Sequence, residues 1–292
     1  MRWQDLRRSG NIEDRRGGFG GGGGLGFPIR LGRGGGRMGG AGLVLLLLAG
    51  LFFGFDPLAI LQGGSPASQT RHAPETAAER EMREFVAAVL GDTEQTWHEL
   101  FQRSGRTYQE PRLVLFSGAV QSECGVGQAV MGPFYCPLDR RIYIDLSFFD
   151  ELRRRFGAPG DFAQAYVIAH EVGHHVQNIM GTAERVRAAQ ERMPRAQANQ
   201  LSVRLELQAD CYSGLWAHHA DRARRVLEEG DIEEALNAAS AIGDDRLQRQ
   251  AQGRVVPDSF THGSSAQRVR WFKQGLETGT LEACDTFAGS RP

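Results

Sequence analysis

The sequence predicts an α+β fold, mostly helical, with one small sheet. Three observations carry this. Two strand-like stretches, Arg112-Leu-Val-Leu-Phe-Ser-Gly118 and Arg141-Ile-Tyr-Ile-Asp145, lie within about thirty residues of each other. Helical spacing of apolar residues precedes them. From Ser147 onward the chain reads as helix almost throughout. The order helix, sheet, helices is that of an α+β domain.

The 292 residues suffice for one good-sized domain plus a tail, and the apolar share of 41% allows a buried core. A formal net charge of -1 argues against a general nucleic-acid binder. The charge is unevenly spread, since residues 1–41 carry eight arginines against three acids.

Residues 1–41, with the run Gly20–Gly24, hold too little apolar surface for a core and predict a disordered cytoplasmic tail. Residues 42–61 follow as an apolar run. Met38 to Phe55 is free of charge over about 18 residues, close to the minimum that spans a bilayer. Arginines flank it closely only on the N-terminal side. The positive-inside rule therefore predicts a single-pass anchor in the bacterial inner membrane, with the N-terminus cytoplasmic and the remainder periplasmic. A cleaved signal peptide is the rival reading, with Ser65-Pro-Ala67 near a cleavage site, and a buried core helix is the third. Residues 62–75 read as a linker and 76–292 as the globular domain.

Within that domain, Thr76 to Leu90 has Met82, Phe85, Val86 and Val89 at helical spacing, with Glu79 as a capping-box partner for Thr76. A second helix is expected over Thr93–Arg103. Leu113 to Val120 is the expected edge strand, and Cys124 to Cys136 spans a turn-rich segment.

Ala165-Tyr-Val-Ile-Ala-His170-Glu171-Val-Gly-His174-His175-Val-Gln177 contains HExxH and has no helix breaker. Residues i and i+4 share a helix face, so His170 and His174 can bind one metal ion through their imidazoles. Glu171, one step round, is placed to act as general base on a water activated by that metal. Val167, Ile168, Val172 and Val176 surround the motif, so the helix is expected to be buried, where two unpartnered histidines and a glutamate would be costly. Gly173 costs helix stability and fits a place where something approaches closely.

A catalytic zinc needs a third ligand and an open fourth position. The metzincin pattern would require glycine at 177 and histidine at 180, where this chain has Gln177 and Met180. The gluzincin route takes a glutamate from a downstream helix, and Leu205-Glu206-Leu-Gln-Ala-Asp210-Cys211 offers one. Glu206 and Asp210 share a face, so Glu206 can ligate zinc while Asp210 accepts the other ring N–H of a ligand histidine. His175 points about 100° away from His174, and Cys211 about 140° from Glu206, so neither is a ligand. His218 and His219 read as surface residues.

HEVGHH followed about thirty residues later by ExxxD resembles the neutral zinc metallopeptidase family of membrane-anchored bacterial proteins, itself similar to the wider gluzincins. Met1-Arg-Trp…Asn11-Ile-Glu-Asp-Arg-Arg-Gly17, Gly132-Pro-Phe-Tyr-Cys-Pro137 and Thr261-His-Gly-Ser-Ser-Ala-Gln-Arg268 extend the resemblance over most of the chain. It implies a zincin-like fold with the small sheet packed on the active-site helix, one zinc ion, and endopeptidase activity on a peptide or protein substrate. The late segment is similar to the His…Arg segment of related membrane gluzincins. It makes His262 the first choice and Arg268 the second for stabilising an oxyanion; a plain loop histidine is the other reading of His262.

The four cysteines contain no CxxC pair. The favoured disulfides are Cys124–Cys136, closing the turn, and Cys211–Cys284, tying the C-terminal tail to the core; four free thiols in a cytoplasmic protein are the alternative. Two functions compete: an exported endopeptidase, and a catalytically silent zinc-stabilised interaction module. Glu171 favours the first, since a purely structural zinc needs no base.

Overall fold

A computed structural model describes residues 1–16 and 75–289. The apolar run 42–61 and the linker up to residue 74 lie outside the described residues. Among those described, no helix is long and apolar enough to cross a membrane.

The chain begins with strand β1 (Ile12–Asp14) and helix α1 (Ala77–Arg103). The predicted capping box starts α1, with Glu79 N–H donating to Thr76 Oγ1 at 3.2 Å and Thr76 N–H to Glu79 Oε2 at 2.8 Å. α1 is continuous where two helices are expected. Gly91, in the gap between the two expected helices, is a notch: a Cβ there would lie 2.3 Å from the Arg7 carbonyl oxygen.

Strands β2 (Arg112–Phe116), β3 (Ala119–Ser122), β4 (Gly125–Gln128), β5 (Phe134–Cys136) and β6 (Arg141–Asp145) follow. One sheet runs β1-β2-β6-β5, parallel except for β5, which is antiparallel to β6; β3 and β4 form a separate hairpin. β2 and β6 match the two predicted strands. Their buried runs, Leu113–Phe116 and Ile142–Asp145, are what parallel strands covered on both faces require. β2 lies between β1 and β6, so Leu113–Phe116 is not an edge, and Val120 belongs to the separate hairpin. The edge nearer the helices is β5.

Helices α2 (Ser147–Arg154), α3 (Asp161–Ile179), α4 (Thr182–Gln190), α5 (Arg195–Arg224), α6 (Asp231–Ala241), α7 (Asp244–Gln252) and α8 (Ser265–Thr278) complete the body. α3 is the central helix, with Phe162, Ala165, Tyr166, Ile168, Val172 and Val176 fully buried among α1, α5 and α6. α5 and α8 touch backbone to backbone. A Cβ on Gly275 would fall 1.9 Å from the Cys211 carbonyl oxygen, and one on Gly214 2.0 Å from that of Phe272.

Two expectations change here. Residues 1–16 are not a disordered tail. They form a strap across the body: Ile12 pairs with Leu113, Ser9 N–H donates to the Ala87 carbonyl at 2.9 Å, and Leu6 joins the core. Glu94, 1% exposed, gathers Arg7 (2.8 Å), Ser9 Oγ (2.6 Å) and Asn11 Nδ2 (2.8 Å) from the strap. The strap ends at Arg16, whose guanidinium meets Glu75 at 2.7 Å. The strap and the body thus belong to one compact unit. His218 and His219 are likewise not free surface residues. They are half-buried and bond the carbonyls of Leu276 (2.7 Å) and Gly279 (2.8 Å) at the C-terminal end of α8.

Both expected disulfides form, Cys124–Cys136 and Cys211–Cys284.

Candidate metal centre

Gly173 is where the two donor helices meet. A Cβ there would sit 3.0 Å from Ala209 Cα, so only glycine lets α3 lie this close to α5. The close approach brings Glu206 to both histidines. His170 Nε2 is 3.1 Å from His174 Nε2 and 3.2 Å from Glu206 Oε2, and His174 Nε2 is 3.4 Å from Glu206 Oε1. Among the described residues these three side chains form one of two groups able to hold a cation. The other, Asp161, Asp231 and Glu234, already faces the Met1 ammonium, which bonds Asp161 at 2.7 Å and Asp231 at 3.3 Å.

The donor set fits zinc. Two imidazole nitrogens and one carboxylate converge, and this N,N,O chemistry is what a catalytic zinc site uses. Each ring is also fixed in the tautomer a metal requires. His170 Nδ1–H donates to Asp210 Oδ1 at 2.9 Å and His174 Nδ1–H to Gln177 Oε1 at 3.0 Å, leaving both Nε2 lone pairs facing Glu206.

Asp210 is fully buried. Besides His170 it accepts from the Tyr166 hydroxyl and takes two bonds from Arg268, Nε and Nη2, each at 2.9 Å. Burial alone would raise its pKa, but Arg268 and His170 outweigh that and hold it below the usual carboxylate value. Arg268, offered by the sequence as an oxyanion donor, lines the same cleft as His170 and His174 and neutralises Asp210. Burial also works against an ionised Glu206, yet His174 and His170 hold its pKa well down.

Glu171 is 7% exposed and has no hydrogen-bond partner among the described residues. Burial raises its pKa, opposed by His174 and His170, which suits a group that must accept and release a proton. It faces a cleft of about 940 Å³ lined also by His170, His174, Glu206 and His262. Val130, Met131, Phe148, Phe156 and Leu247 add apolar lining to the same cleft.

His262 comes to this cleft from the loop before α8, with a half-exposed side chain. Its Nδ1 lies 3.3 Å from Asp244 Oδ1. Asp244 Oδ2 accepts the backbone N–H groups of Thr261 (2.7 Å), His262 (2.6 Å) and Gly263 (3.0 Å), so one carboxylate shapes the whole turn. The bond to Asp244 raises the His262 pKa above the ordinary histidine value. Sequence reasoning missed Asp244 and Gln177. The signal for Asp244 was an acid opening a helix after Gly243; for Gln177 it was an amide three residues beyond a ligand on the same helix face.

His175 is not a donor to this centre, as expected. It is 1% exposed, with Nδ1 3.0 Å from the Tyr135 hydroxyl and Nε2 2.6 Å from the Gln109 carbonyl.

A buried HExxH helix, a glutamate from a second helix and an open cleft define the class: a mixed α+β protein built around a histidine–histidine–glutamate cluster able to hold a cation. The chain belongs to the neutral zinc metallopeptidase family. The model of the family described as "Putative neutral zinc metallopeptidase" matches residues 1–287. The chain is 52% identical over 293 residues to the uncharacterized protein YpfJ of Escherichia coli strain K12, covering 99% of this chain and all of that one. It is 43% identical over 215 residues to the uncharacterized protein Rv2575 of Mycobacterium tuberculosis strain H37Rv, covering 70% of each. No solved structure matches the chain.

Proposed function

We propose that the protein is a zinc-dependent endopeptidase of gluzincin type, acting outside the cytoplasm. The observation that carries this is the convergence of His170, His174 and Glu206 within 3.1–3.4 Å beside an unpartnered Glu171, at the floor of an open cleft.

His170, His174 and Glu206 would hold the ion. When bound, zinc supplies Lewis acidity that makes water nucleophilic near neutral pH and polarises the scissile carbonyl. Glu171 takes the proton of the attacking water and returns it to the leaving amine nitrogen. His262, whose bond to Asp244 favours the protonated ring, donates to the oxygen on which negative charge develops. β5 is the outermost strand beside α3, and Phe134 and Tyr135 line the cleft. It is the strand on which an extended peptide pairs through its backbone. A sealed structural zinc site would bring a fourth protein donor. The group around His170 has three.

Two disulfides suit an oxidising compartment, which supports a body outside the cytoplasm. Attachment to a membrane through residues 42–61 is part of the same proposal, with strap and body on one side.

The test compares the full chain with Glu171→Gln, measuring zinc by elemental analysis and cleavage of an unfolded protein substrate. One zinc per chain in both proteins, with cleavage lowered at least ~100-fold in the variant, is expected. Equal cleavage by the two removes Glu171 from the reaction.

A further inference from the structure

The two histidines of the proposed metal centre are held by unlike partners. Behind His170 stands the charged Asp210–Arg268 pair. Behind His174 stands Gln177, a neutral amide that is 1% exposed.

The way round of that amide is fixed by its surroundings. Gln177 Nε2 is 2.7 Å from the Leu205 carbonyl oxygen. A carbonyl can only accept, so the NH2 end must face it and Oε1 must face His174. The second Nε2 hydrogen meets Gln208 Oε1 at 3.2 Å, and Gln208 Nε2 in turn donates to the Cys284 carbonyl at 3.0 Å. An acceptor facing His174 Nδ1 demands a hydrogen there, and Nε2 is left with its lone pair toward Glu206. Leu205 precedes Glu206 in α5. The one amide therefore orients a donor on α3 and grips α5 beside the donor that α5 supplies.

We propose that Gln177 is a positioning residue for the metal centre. It selects the metal-competent tautomer of His174 and locks α3 to α5 at the level of Glu206. The relay Gln177–Gln208–Cys284 anchors it to the segment held by the Cys211–Cys284 disulfide. The proposal rests on the reading of His170, His174 and Glu206 as zinc donors. The chemistry of the partner also separates the two histidines. Asp210 places a negative charge behind His170, while Gln177 adds none behind His174, so losing Gln177 changes geometry and tautomer without changing charge.

The test measures zinc affinity by competition with a chromogenic chelator, on the full chain of wild type, Gln177→Met and Gln177→Glu. Methionine keeps the volume and loses both the acceptor and the donor; glutamate keeps the acceptor. Loss of a partner to a ligand histidine lowers metal affinity ~10–100-fold, and that loss is expected for Gln177→Met. Gln177→Glu keeps the acceptor toward His174 but loses the donor to the Leu205 carbonyl, so its affinity is expected between those of wild type and Gln177→Met, a partial rescue that a merely space-filling role would not produce. Wild-type affinity in Gln177→Met overturns the proposal and leaves the metal centre standing. Failure of the wild type to bind zinc overturns both. Should Gln177→Met not fold, nitrogen NMR of metal-free wild type at a pH where His174 is neutral decides the matter. A hydrogen on Nδ1 supports the proposal, and one on Nε2 overturns it.

Discussion

Gly173 and Ala209 set how close the two donor helices lie, because the space for a Cβ on Gly173 ends 3.0 Å from Ala209 Cα. In an ordinary helix, Gly→Ala gains about 1 kcal/mol. Here the added methyl must push α5 away, and overpacking of this kind costs about 1–3 kcal/mol. Gly173→Ala is expected to lower the thermal midpoint and weaken zinc binding together. A raised midpoint with unchanged zinc affinity would show that the contact does not limit the helix separation.

Asp210 and Arg268 are expected to behave as a buried pair. Asp210→Ala strands the Arg268 guanidinium, 2% exposed, and should cost about 3–5 kcal/mol in urea unfolding. Asp210→Ala combined with Arg268→Met removes both charges and should recover part of that loss. A double variant no better than the single one rules out charge stranding as the cause.

The Asp244–His262 contact predicts a pH dependence with a definite sign. The His262 pKa is raised, chiefly by its bond to Asp244. The protonated donor therefore persists above the ordinary histidine pKa, and the stabilisation from the contact is present below that value and fades as pH rises through the folded pKa. In Asp244→Asn, the alkaline fall of kcat/KM should move to lower pH. A profile unmoved on its alkaline side means His262 is not the titrating donor.

Cys211–Cys284 closes a separation of 73 residues. Chain-entropy reasoning assigns such a bridge about 4 kcal/mol. Paired Cys211→Ala and Cys284→Ala should lower the unfolding free energy by about that amount. A loss under about 1 kcal/mol would show that the α5–α8 packing holds the tail unaided.

Removal of residues 1–16 leaves Glu94 buried without Arg7, Ser9 and Asn11, and strips the edge of β2. A fragment starting at residue 76 is expected to be destabilised by several kcal/mol, or to aggregate through the bared strand. Its unfolding midpoint, set beside that of the full chain, checks this.

Much of the centre is legible in the sequence because it depends on spacing along single helices. HExxH fixes His170, Glu171 and His174 on one turn of α3, and the i, i+4 pair Glu206–Asp210 does the same on α5. The capping box at Thr76 and the strands β2 and β6 are local signals of the same kind. The strap is not legible in this way. Its arginines read as part of a Gly/Arg-rich tail, although the stretch up to Arg16 lacks the glycine runs that follow it. Its three-residue strand is stable only against β2, and its seat at Gly91 falls in the gap between the two expected helices. β5 is also three residues long and needs β6 beside it. Asp244 and Gln177 reach across 18 and 28 residues, to a turn and to the interior of α5, which only tertiary packing brings near.

Arg16 and Glu75 are joined although 58 positions separate them along the chain, so the strap and the body are two stretches of a single folded unit. Whatever route residues 17–74 take, the excursion departs from and comes home to the same object. On the proposed reading, with strap and body on one side, the stretch between them would cross a barrier an even number of times or not at all. Cysteines introduced singly at Gln4 and Gln121, both exposed, should then react with an impermeant thiol reagent from the same face, and opposite faces would mean the strap is undone in the cell.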